Sequence, residues 1–272
     1  MYGLHVASLL VQRRIMNEAT RRWLYCVLIT GSVVLTPIVG MWGPFANGSG
    51  TPPAGREYFL PAGFVFGTVW TISYLGLATY GIWQALSGQR NNQRVRRALP
   101  WLAGTALGNV LWIALAGSLE TVPWTVPTLI FMEVTVWVAY FKLGIPSGEA
   151  ASSTEKWLQA ALRVYTGWLS VATIANTAAA LIVLGWDSFG IAPQTWAVIM
   201  LMAATVLAGV IGRLVNDDNI YRAVFVYAFI GIMIQQRDVP AIVWTAAGGA
   251  LAIAAMIATT WGRRAHQSAA AT

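Results

Sequence analysis

The sequence predicts an all-α integral membrane protein of about eight transmembrane helices, with both ends on the cytoplasmic side. Three observations predict it. Hydrophobic residues make up 57% of the 272 and charged residues only 10%, too little polar surface to cover a water-soluble globule of this size. Apolar runs of about 20 residues recur along the chain, where a barrel would show alternating strands of about 10. Lys and Arg, finally, fall almost entirely on one side of the membrane once those runs are taken as crossings.

Residues 1–22 begin with a short apolar stretch, Leu4 to Val11, closed by Arg13 and Arg14, with no small-residue cleavage pattern. An interfacial cytoplasmic helix is expected there. Spans follow at 23–43, 61–86, 100–118, 124–144, 158–186, 193–213, 219–236 and 240–262, and 263–272 is expected as a cytoplasmic tail. With the N-terminus inside, the inner side collects Arg13, Arg14, Arg21, Arg22, Arg90, Arg94, Arg96, Arg97, Lys142, Lys156, Arg163, Arg213, Arg222, Arg263 and Arg264. The outer side keeps Arg56 and Arg237. The net charge of +7 therefore points to the anionic inner surface of a bacterial-type plasma membrane and not to nucleic acid. The segment from Pro44 to Leu60, with its glycines and prolines, is the longest outer loop and is expected to cover the outer end. Ser87 to Ala98 is expected as a polar inner loop. Cys26 stands alone, so the chain can form neither an internal disulfide nor a cysteine metal centre.

Polar side chains inside spans are few, and each needs a protein partner or a cavity, because lipid offers none. Glu133 falls mid-span in the fourth helix, Asn109 in the third and Asn176 in the fifth. An intramembrane carboxylate is by default a functional residue, whereas the asparagines suit interhelical hydrogen bonds. Arg163 lies close enough to the inner boundary to snorkel. Of fourteen tryptophans, Trp23, Trp42, Trp124, Trp186 and Trp261 sit at span ends, where an aromatic belt accounts for them. Trp70, Trp112, Trp137 and Trp168 sit inside spans, where an indole can line a site for a flat apolar ligand or simply fill the core. Gly104 and Gly108, and Ala208 and Gly212, permit close helix contact within the chain or across a homodimer.

In the second span Pro61, Gly63, Phe64, Val65, Phe66, Val69, Trp70, Thr71, Tyr74 and Ala78 stand in the order P-x-G-F-V-F-x-x-V-W-T-x-x-Y-x-x-x-A. The fifth span carries Tyr165, Trp168, Ala172, Thr173 and Asn176 as Y-x-x-W-x-x-x-A-T-x-x-N, the third carries Asn109 and Trp112, and the fourth Glu133 and Trp137. These patterns resemble helices two to five of the tryptophan-rich sensory protein family, TspO and the translocator protein. The resemblance covers roughly residues 23–186, and the last three spans have no counterpart in it. It implies a five-helix bundle, 23–186, with an apolar pocket for a porphyrin or other tetrapyrrole, a sterol or an isoprenoid, followed by an additional three-helix segment, 187–262. The pocket residues it implies are Phe66, Trp70, Tyr74, Asn109, Trp112, Glu133, Trp137, Trp168 and Ala172, with the outer loop as cover. Asn176 matches a helix-packing position. The fifth helix ends in an apolar stretch from Ala178 to Gly185, without the Tyr and Arg of the cholesterol-associated pattern. The implied partners are the bilayer, a small hydrophobic ligand and a second copy of the chain through Gly104 and Gly108.

A membrane receptor or carrier for a flat hydrophobic ligand is thus the leading expectation. A light-dependent porphyrin-degrading enzyme and a transporter using Glu133 are the alternatives. No nucleophile with its base and no metal-ligand cluster is visible, and His5 and His266 fall in the two end segments.

Overall fold

The computed structural model describes residues 2–42, 59, 61–150 and 152–270, with side chains for all of these except 2–17, 42, 264 and 266–270. The expected cover therefore lies outside the described residues save for its buried Phe59, as do the side chains of His5, His266 and Trp42. Among the described residues there are eight α-helices: α1 Tyr2–Trp42, α2 Gly63–Trp83, α3 Gln93–Leu115, α4 Thr125–Lys142, α5 Ser153–Val183, α6 Pro193–Leu214, α7 Asn219–Gln235 and α8 Pro240–Ala270. Seven are long and apolar enough to cross a membrane; α7 has 17 residues, about 26 Å, and is the shorter exception.

Helix ends follow local chemistry. Asn92, Ser152 and Asp218 cap α3, α5 and α7 by accepting the Val95, Glu155, and Ile220 and Tyr221 backbone N–H groups. Ser152 and Glu155 have the spacing of a capping box. At the end of α4, Gly144 adopts φ +68°, and the N–H groups of Gly144 and Ile145 return to the carbonyls of Phe141 and Tyr140. This closure needs a left-handed residue, which glycine supplies without strain.

One expected segment differs. The inner loop is shorter than Ser87 to Ala98, because the Asn92 cap starts α3 at Gln93. The α1 helix runs unbroken from Tyr2 into the first span, and α8 continues to Ala270.

Five helices close into a ring in the order α1, α2, α5, α4, α3, each packed on the next and α3 back on α1. Outside this ring α7 lies against α5 and α2, with α6 and α8 packed on its far side. The approach to α2 is close: the N–H of Ala62 donates to the Gly231 carbonyl at 3.0 Å, and a Cβ at Gly231 would lie 2.8 Å from Val65. Gly104 and Gly108 serve the α3 to α4 contact of the same chain, where a Cβ at Gly108 would lie 2.4 Å from Met132. Ala208 is buried, and Gly212 meets Arg222 of α7, so that small pair too is used inside the protein.

The ion pairs gather at one end. Glu18 pairs with Arg96, Arg94 with the fully buried Glu155, Arg163 with Asp218, and Asp217 with Arg213, Arg222 and Arg263. Arg22 donates to the carbonyls of Gln84 and Leu86, while Gln84 donates back to the Arg22 carbonyl. All of these belong to the side where the basic residues collect. At the other end the pair between Arg237 and Asp238 is exposed.

Candidate functional site

The periodicity of α2 places Phe66, Trp70 and Tyr74 at i, i+4 and i+8, on one stripe facing into the ring. Trp112 arrives from α3, and Tyr165 and Trp168 from α5. Trp70 stacks on Trp112 with centroids 5.0 Å apart and planes at 26°, and meets Trp168 edge-on at 6.3 Å. Phe66 lies 5.8 Å from Trp168 and 6.3 Å from Trp112, and Tyr74 lies 5.1 Å from Trp70. Six rings from three helices thus form one cluster, with Trp70, Trp112, Tyr165 and Trp168 all buried.

Two asparagines tie α3 to α5 around this cluster. Asn109 accepts from the Tyr165 hydroxyl at 2.9 Å and donates to the Thr105 carbonyl, while the Trp112 indole donates to Asn176 at 3.1 Å. Asn176 in turn donates to the Ala172 carbonyl. The other two indoles are different: Nε1 of Trp70 and Nε1 of Trp168 are enclosed and have no acceptor among the described residues. An enclosed donor without a partner costs about 1–3 kcal/mol.

Glu133 and Trp137 are not part of this cluster. They occupy the opposite side of α5, where α4 and α7 meet. Glu133 Oε1 accepts from Trp137 Nε1 at 2.9 Å and from the Ser170 hydroxyl at 2.6 Å, and the Tyr221 hydroxyl donates to Ser170 at 3.2 Å. Trp137 packs on Tyr140 at 5.0 Å and on Tyr221 at 5.7 Å. The division follows from helix geometry, since Trp168 and Ser170, two residues apart on α5, point about 200° apart. One helix therefore serves two sites.

Above both sites, toward the outer end, α5 changes character. Residues 173–179 are all half-buried, so no face of these two turns is either sealed or fully open. Apart from Ile174 and Asn176 they are Thr and Ala, whose small side chains leave width on either side of the helix. A separate crevice of about 10 Å³, room for a single water, lies inward of the aromatic cluster between α2 and α5, lined by Ser73, Gly76, Tyr80 and Tyr165 among others.

Of the residues expected to line one pocket, the structure brings Phe66, Trp70, Tyr74, Asn109, Trp112 and Trp168 together and sets Ala172, buried, one turn beyond Trp168. It separates Glu133 and Trp137 from them. Sequence reasoning missed Ser170 and Tyr221 as partners of Glu133. Ser170 carries a weak signal as a hydroxyl within a span; Tyr221 sits at the inner end of α7, where an aromatic belt is enough to account for a tyrosine.

The family whose model matches the chain is described as TSPO-like protein, and the match covers residues 24–259. It runs past Trp186 through α6, α7 and nearly all the apolar part of α8, which the sequence resemblance did not reach. No curated protein matches the chain, and no solved structure does.

Proposed function

Because the chain belongs to the TSPO-like family of multi-pass membrane ligand-binding and sensory proteins, we propose that it binds a flat hydrophobic ligand, a tetrapyrrole above all, at the aromatic cluster between α2, α3 and α5. One observation carries the reading: Trp70 and Trp168 present enclosed indole N–H donors that no group of the described protein accepts. A planar ligand bearing carboxylates or ring nitrogens has both the π-face to stack on these rings and the acceptors to satisfy the donors. The half-buried outer half of α5 supplies the approach, from the side of the outer loop. Ligand entry spreads the indoles of Trp70 and Trp112 from their 5.0 Å stacking, so part of the binding energy is spent on that rearrangement. The protein then acts as a receptor or carrier in a bacterial-type inner membrane, with its basic end in the cytoplasm.

Protoporphyrin IX titrated into the purified protein in nanodiscs is expected to quench tryptophan fluorescence saturably in the micromolar range. Trp70→Phe with Trp168→Phe keeps aromatic bulk but removes both donors, and is expected to weaken binding about tenfold or more. A double variant that titrates like the native protein would place the ligand elsewhere.

A further inference from the structure

Glu133 lies at the middle of α4 and has no ion-pair partner among the described residues. Toward the inner end, Arg163 is engaged by Asp218 and by the Ile145 carbonyl. One carboxyl oxygen, Oε1, is fully used by Trp137 and Ser170. The other, Oε2, is enclosed and has no donor. Thr173 Oγ1, one turn outward of Ser170 on the same helix, is likewise enclosed and without a partner. Glu133, Trp137 and Thr173 are each half-buried as whole residues, so their side chains reach the edge of the helix packing although these two oxygens are enclosed. Inward the centre is closed, because Trp137 packs on Tyr221 and Tyr140 bonds to Asp218.

We propose that Glu133, with Ser170 and Tyr221 and walled by the ring of Trp137, forms a second recognition site that takes the cationic nitrogen of a flat lipophilic amine. The chemistry is that of an aromatic wall beside a carboxylate. Indole and phenol faces attract a desolvated cation, and an ammonium or amidinium N–H supplies the donor that Oε2 lacks. In a low-dielectric environment a carboxylate without a counter-charge favours a cation over a neutral analogue of the same shape. Thr173 offers a hydroxyl to a second N–H of the same group. The orientation of Glu133 is set from outside the five-helix ring, since Tyr221 of α7 donates to the Ser170 hydroxyl that holds Oε1. This gives α7 a role in recognition as well as in packing. The site is independent of the tryptophan cluster, which occupies the other face of α5.

The probe is 9-aminoacridine, a planar cation with N–H donors, compared with acridine, which is neutral at pH 7.5. Both are titrated by fluorescence into the protein in nanodiscs, with empty nanodiscs subtracted. The expected result is a preference of about tenfold or more for 9-aminoacridine. Glu133→Gln is expected to abolish that preference while leaving protoporphyrin quenching intact, and Glu133→Asp to retain it. Equal affinity for the two acridines, or a preference that survives Glu133→Gln, would overturn the proposal. Should Glu133→Gln not fold, the native protein still decides the matter: 9-aminoacridine, and not acridine, is expected to protect Glu133 from a hydrophobic carbodiimide, read by peptide mass mapping. Absence of selective protection would overturn it. Loss of protoporphyrin binding alone, with the amine preference kept, would count against the tryptophan cluster and not against this site.

Discussion

Asp217 joins three helices at the inner end. It sits in the turn between α6 and α7, where Asn216 and Asp217 both take positive φ, a conformation that Asn and Asp tolerate better than other non-glycine residues. Burial disfavours its charge, but the hydrogen bonds and charges of Arg222 and Arg213 outweigh this and hold its carboxyl below the ordinary value. Arg222 is itself buried, so removing the opposing charge leaves an uncompensated guanidinium. Because the folded-state pKa is depressed, this stabilisation is fully present above the unfolded value of about 3.9 and is lost as pH falls through the lower folded value. Asp217→Asn is therefore expected to cost about 2 kcal/mol at neutral pH. The difference in melting temperature between variant and native protein is expected to shrink below about pH 4. A gap that stayed constant down to pH 3 would show that Asp217 acts through turn geometry and not through charge.

Close helix approach is the theme among the secondary elements. A Cβ at Gly76 of α2 would lie 2.5 Å from the Cβ of Ala161 on α5, a side chain with no rotamer by which to yield. Gly67, about two and a half turns away on the same helix, has nothing within 4 Å. Gly76→Ala must therefore push α2 from α5 and is expected to destabilise by about 1–3 kcal/mol. Gly67→Ala gains helix propensity of up to about 1 kcal/mol and is expected to be neutral or stabilising. Thermal melts of the two variants in one detergent give the comparison, and Gly76→Ala should also weaken protoporphyrin binding, because α2 carries Phe66, Trp70 and Tyr74. A Gly76→Ala protein as stable as Gly67→Ala would mean that α5 tilts freely to accommodate the methyl. The helix positions themselves were legible beforehand: each expected span overlaps one helix, since apolar length is a local property. Boundaries were less so. The Asn92 cap moved the start of α3 inward, and the α1 and α8 helices extend beyond the expected spans.

Three helices outside the ring bear on how the protein coheres. The backbone of α2 bonds to the Gly231 carbonyl, Gly167 of α5 lies under Tyr221, where a Cβ would sit 3.0 Å from the Tyr221 carbonyl oxygen, and Tyr221 reaches Ser170. A chain ending after Gly190 would leave these faces of α2 and α5 to lipid, with Ser170 deprived of its donor. Such a fragment is expected to elute from size exclusion as a broad or aggregated species, whereas the full chain gives a single peak; a monodisperse fragment that binds protoporphyrin would show that the ring is self-sufficient. Topology has its own measurement. In a Cys26→Ser background, Arg237→Cys is expected to react with a membrane-impermeant maleimide from the outer side, and Arg90→Cys only after permeabilisation; the reverse pattern would invert the orientation.

Sequence settled the solvent, the number of helices and which end carries the charge, because hydropathy and the Lys and Arg distribution are summed over local stretches and survive any packing. It also marked most of the aromatic cluster, since Phe66, Trp70 and Tyr74 share a stripe on one helix. The tertiary structure decided which partners those residues meet. Glu133 and Trp137 looked like members of the tryptophan site, yet the roughly 200° between Trp168 and Ser170 on α5 directs them to a separate centre, completed by Tyr221 from a helix that no motif connected to it. Such pairings depend on which faces of distant helices come together, and hydropathy and short motifs carry no term for that.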